Sequence, residues 1–167
     1  MIDPPILYGQ GAQTIRWVPV DELGHPRAIS SATYAIVDLR EGESTSRRAV
    51  VASTAATAPT VATTTTADAG PSTANPRAVA LTSATGVRVG GVYLLRDTTG
   101  AVEESCTVLR LVSTAVELTR PLTRAFASGA AFVGLELSGT FPADVANDEQ
   151  RLDGGGGPFQ VTWTYTI

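Results

Sequence analysis

The chain has 167 residues, 43% of them apolar, with 12 basic and 16 acidic side chains and a net charge of −4. That length suits one domain or two small ones with a buried core, and no run approaches the roughly 20 apolar residues of a membrane-spanning helix. The basic residues are all arginine, with Arg47–Arg48 the sole adjacent pair, so the clustered positive charge that displaces counterions from phosphates is missing, and neither free nucleic acid nor a membrane is an expected partner.

The opening MIDPPILYGQ lacks the positive start and apolar stretch of a signal peptide. From there on, alternation with period two recurs while helical periodicity does not, which predicts an all-β protein. QTIRWVPV is the first strand candidate, with Ile15 and Trp17 on one face and Pro19 marking an edge or an end. DELGHPRA reads as a loop, SATYAIVDLR as a strand with Ala32, Tyr34 and Ile36 on one side, and EGESTSRR as a turn. Between Ala52 and Pro76 alanine and threonine dominate. That stretch reads equally as a flexible linker or as a pair of small-residue strands closing at ATAP.

Past Pro76 comes a compact block of apolar runs divided by turn signals at Gly90–Gly91, DTTG and VSTA. It predicts a meander of short strands curling into a small barrel. Within it VYLLR descends, Asp97 to Gly100 turns, and AVEESCTVLRLV returns with Cys106, Val108 and Val112 opposite Thr107, Leu109 and Leu111. After Leu137 the chain reads as a loop through GGGG, and FQVTWTYTI closes it as a half-buried strand. The expected architecture is a β-sandwich formed from N- and C-terminal strands (1–75 and 135–167), interrupted by a small antiparallel β-barrel-like insertion (76–134).

Candidate chemistry is sparse. Glu103 and Glu104 are adjacent on a strand, so their carboxylates face opposite ways and cannot converge on one substrate atom as a glycosidase pair must. A cross-strand pair with Arg96 or Arg110 is the expected use of either. His25, the single histidine, stands in a loop with no nucleophile-elbow pattern in the chain, and one histidine with one distant cysteine makes no metal site. Cys106, the single cysteine, reads as a buried structural thiol. Asp144, Asp148, Glu149 and Asp153 lack the EF-hand spacing for calcium, and GGGG at 154–157 lacks the strand and helix that flank a phosphate loop. Trp17, Trp163, Tyr34, Tyr93 and Tyr165 fit core packing better than a stacking platform for sugars. No catalytic residue, no cofactor-binding residue and no metal ligand is expected, and the chain is read as not an enzyme.

The segment GGVYLLRDTTGAVEESCTVLRLVSTAVELTRPLTRAFASGAAF resembles a pattern found in structural proteins of tailed bacteriophages: a tyrosine–leucine strand, an acidic–glycine turn, a glutamate opening the next strand, and a TRPL end. The ending GGPFQVTWTYTI is similar to the closing strand of such proteins. The resemblance implies a virion component, assembled in the host cytoplasm as a homo-oligomeric ring or collar at the head-tail neck, the tail or the baseplate. Its partners would be other virion proteins, such as portal, adaptor, tail or fibre proteins. Loops such as 139–158 and the alanine–threonine segment would then order in the assembled ring. An alternative is a carbohydrate-binding or adhesion module of a fibre or baseplate, which would present exposed aromatics.

Overall fold

The computed structural model describes residues 12–29, 31–38, 49–58, 61–142 and 159–165, which form eleven strands and no helix. The protein is all-β. It divides into two compact units: Met1–Trp17, Ile29–Ala58 and Leu137–Ile167 make one, and Val18–Ala28 with Pro59–Glu136 makes the other. The second unit thus begins at Pro59, upstream of the expected start at Pro76, and also takes in the loop around His25.

In the first unit β1 (Gln13–Trp17) pairs antiparallel with β10 (Leu137–Phe141). A second sheet runs β11 (Phe159–Tyr165), β2 (Ala32–Asp38), β3 (Ala49–Ala55). Residues of both sheets share one core, Ile15 and Phe141 from the first and Tyr34 and Ile36 from the second, with Phe159, Val161 and Trp163 packed against it. This is the sandwich of N- and C-terminal strands that the alternation of Ala32, Tyr34 and Ile36 predicts; all three are buried. Rings fill most of the space, since Trp17 stacks on Trp163 at 5.7 Å and Phe141 meets Phe159 edge-on at 5.0 Å.

One expectation fails here. The stretch after Leu137 is not a loop from its start, because Leu137–Phe141 is a strand in register with β1. Leu137, Gly139 and Phe141 alternate inward, a pattern masked in the sequence by the glycine. Gly139 is required by Tyr34, whose ring a Cβ would meet at 2.7 Å. That close approach lets the Tyr34 hydroxyl accept the Thr140 amide at 2.9 Å.

The second unit holds β4 (Ala62–Thr64), β5 (Ala78–Ala80), β6 (Val92–Arg96), β7 (Glu103–Val112), β8 (Ala115–Leu118) and β9 (Ala131–Gly134). Their order in one sheet is β4-β9-β6-β7-β8-β5. Its two outer strands meet: Thr66 donates its amide to the Ala80 carbonyl at 2.9 Å, Thr82 donates to the Thr64 carbonyl at 2.8 Å, and Thr65 bridges Leu81. The sheet therefore closes on itself as a small barrel, which removes the exposed edges that invite mispairing. Its interior is filled by fully buried Val79, Leu81, Leu95, Val108, Leu118 and Phe132.

The alanine–threonine segment is neither linker nor hairpin. Its first part extends β3 in the sandwich and its second part supplies β4 in the barrel, so the two strands belong to different sheets. On β7 the expected faces hold as far as Val108, which lies opposite Leu118; the next pair is Arg110 with Glu117, so Leu109 is an extra residue. This bulge inverts the alternation beyond it and moves Val112 off the face of Cys106 and Val108.

Candidate functional site

The β6–β7 hairpin carries Arg96, Asp97, Glu103, Glu104 and Arg110, and its loop is built from the DTTG turn. The Asp97 carboxylate accepts the Thr99 hydroxyl at 2.7 Å and the Val102 amide at 3.2 Å, while Gly100 takes φ 76°. These bonds, that from Thr99 foremost, hold the Asp97 carboxyl below the usual 3.8.

The two strand-opening glutamates then diverge, as adjacent strand residues must. Glu103 accepts Nε of Arg96, its register partner on β6. Glu104 turns to the loop before β9. It accepts the Thr123 amide at 2.9 Å, the Thr123 hydroxyl at 3.1 Å and the Arg124 amide at 2.9 Å. Arg110, a possible partner of either, is engaged instead by Glu117. Arg96 was an expected partner for Glu103; the anchor of Glu104 on Thr123–Arg124 was not visible, because it spans 19 residues of sequence.

His25 stands in a loop organised by Asp21. One carboxylate oxygen of Asp21 accepts the amides of His25 at 2.8 Å and Leu23 at 3.0 Å, and the other accepts Arg27 Nε at 3.0 Å. The His25 amide is the main reason that the Asp21 carboxyl sits below its ordinary value. The imidazole itself is 68% exposed, with Nδ1 at 3.5 Å from Asp21. No serine, threonine or cysteine nucleophile has a hydrogen bond to it among those described, so a triad has no geometric basis here.

This loop and the hairpin border a cleft of about 380 Å³, whose lining includes His25, Arg27, Leu94, Glu103, Glu104 and Arg124. Sequence reasoning picked out His25 and the two glutamates but not their convergence with Arg27 and Arg124. The signal available was only the arginine in TRPLTR.

Cys106 is half-buried against the barrel core. Burial, with the charge of Glu104 adding to it, pushes the thiol up to about 12, so it stays protonated at neutral pH and is a poor nucleophile. Tyr93 stacks on Phe132 at 4.7 Å, is 4% exposed, and accepts the Arg88 amide at 2.7 Å. Burial raises its phenol above 10.0. Trp17, Trp163 and Tyr165 are half-buried and contact one another, with Tyr34 beneath Trp163 at 5.4 Å. Asp144, Asp148, Glu149, Asp153 and the glycines at 154–157 lie outside the described residues. Among the described residues no group of three or more histidine, cysteine or carboxylate side chains is placed to hold a metal ion.

No protein-family model matches the chain, and it matches neither a curated protein nor a solved structure.

Proposed function

We propose that the chain is a non-enzymatic structural component of a tailed-phage virion, assembling as a homo-oligomeric ring or collar at the head-tail neck or the tail. The sequence resemblance over the barrel block motivates the reading. The observation that carries it is the use made of the hairpin's charges: Glu103 with Arg96, Glu117 with Arg110, and Glu104 with the Thr123–Arg124 backbone. Each carboxylate that could serve chemistry there is engaged in holding strands or loops together. A barrel with closed edges is a rigid unit that can be repeated by symmetry without uncontrolled strand addition.

The adhesion alternative gains less support. It needs exposed aromatics, and Tyr93 is buried against Phe132. A hydrolase reading would need His25 to face a nucleophile, and its hydrogen-bonded neighbour is Asp21.

The test is assembly. Purified chain examined by light scattering and negative-stain electron microscopy, alone and mixed with portal and tail proteins of tailed phages, should form closed rings or cap a portal or tail end. A chain that stays monomeric in every mixture overturns the reading.

A further inference from the structure

The cleft beside the β6–β7 hairpin has two walls of different origin, both fixed from within. One is the Val18–Ala28 loop, pinned by the four contacts of Asp21 to Leu23, His25 and Arg27 and by the pairing of Val20 with Pro26. The other is the Thr123–Arg124 turn, pinned by Glu104. In each wall the carboxylate accepts backbone amides, together with the Arg27 guanidinium at Asp21 and the Thr123 hydroxyl at Glu104. Those walls bring basic side chains to the cleft, Arg27 and His25 on one side and Arg124 on the other, with Glu104 beside Arg124. Arg27 is already shared with Asp21. The amide of Arg124 binds Glu104, whereas its guanidinium has no carboxylate within 4.0 Å among the described residues.

The floor differs in character. Leu94 is buried there, and Ser105 and Glu103 line the cleft beside it. Glu103 bonds Arg96 through one oxygen, leaving acceptor sites on the other. An arginine not committed to a carboxylate, lining the same cleft as the Ser105 hydroxyl and the Glu103 carboxylate, matches a ligand with one anionic group and several hydroxyls. A guanidinium binds a carboxylate through two parallel bonds, which fixes orientation as well as charge. The volume of about 380 Å³ falls at the small end of ligand pockets and accommodates a single sugar ring with its substituents.

We infer that this cleft binds a small polyhydroxylated carboxylate, a sugar acid, with Arg124 holding the carboxylate and Ser105 and Glu103 meeting the hydroxyls. The inference is independent of ring assembly, since every residue named lies in one compact unit.

The test is a titration of the full chain with glucuronate, followed by amide chemical shifts, with glucose and inorganic phosphate as comparators. Saturable shifts at His25, Ala101, Ser105 and Arg124, weakened about tenfold or more in Arg124→Ala and much reduced with glucose, are the expected result. Arg124→Ala keeps the Glu104 anchor, because that anchor uses the Arg124 amide, and an otherwise unchanged amide spectrum verifies that the variant folds. The proposal is overturned by any of three results: no saturable shift with glucuronate, an equal response in Arg124→Ala, or phosphate binding as tightly as glucuronate, which would reveal a plain anion site.

Discussion

The sandwich and the barrel are both all-β, yet they are held together by different means. The barrel surrounds an interior of aliphatic side chains with Tyr93, Phe126 and Phe132 among them, closes its own edges through Thr64, Thr66, Ala80 and Thr82, and ties its outer surface with Arg96–Glu103, Arg110–Glu117 and Arg88–Glu136. In the sandwich the described core is short of aliphatics and rich in rings, and β3 is the outer strand of its sheet. The contrast lies in how edges are managed: the barrel sheet ends on itself, whereas the small sheets of the sandwich stay open and are joined by rings packed against one another.

The comparison can be broken experimentally because each unit carries its own reporter. Both tryptophans, Trp17 and Trp163, lie in the sandwich, and the single cysteine, Cys106, lies in the barrel. Phe132→Ala should have the largest effect, removing a fully buried ring at a cost of about 3–5 kcal/mol. In urea, Cys106 should become open to alkylation at much lower denaturant, with tryptophan fluorescence moving less. Equal movement of both signals would mean that the units unfold as one.

Gly139→Ala is the converse experiment. The added Cβ meets the Tyr34 ring, and the overpacking should cost about 1–3 kcal/mol, read first in tryptophan fluorescence. A variant whose fluorescence midpoint is unchanged would show that Tyr34 is not the fixed ring described above. Next comes Glu104→Gln, which weakens the hold on Thr123–Arg124 and should lower barrel stability by about 1 kcal/mol, measured as faster hydrogen exchange at those two amides. Arg110→Ala should do less, under about 0.5 kcal/mol, because the Arg110 side chain is exposed; double-mutant analysis with Glu117→Ala would detect any larger coupling.

The smallest effect belongs to acid. Asp21 and Asp97 both have folded values below 3.8. Their stabilising contribution is therefore complete above the unfolded value and fades as pH falls through the depressed folded ones. Acid titration of Asp97→Asn in moderate urea, followed by circular dichroism, should show a shallower loss below pH 3.8 than the parent chain. An identical slope would remove Asp97 from the account.

What the sequence made legible follows from what period two can encode. Ala32, Tyr34 and Ile36 announced their buried face, and VYLLR-DTTG-AVEES announced a hairpin whose loop needs Gly100 at positive φ. Three features left no such trace. The bulge at Leu109 is a mismatch between two strands and cannot be read from either one. Closure at Thr64 and Thr82 uses backbone groups that every residue possesses. The anchoring of Arg124 by Glu104, and with it one wall of the cleft, depends on contacts across 20 residues of chain.

The strand order has a temporal side as well. Every barrel strand has emerged by Gly134, and the partner of β4 is among the last of them. The first strand of the sandwich waits for Leu137–Phe141, and β2, which has β3 on one side, gains its second neighbour only with Phe159–Tyr165. As synthesis proceeds from the N-terminus, the inserted unit can finish its own sheet while the halves of its host are still apart. The nascent chain can therefore pair β2 with β3 first and complete the barrel next, so that the pairings of β1 with β10 and of β2 with β11 come only after it is done.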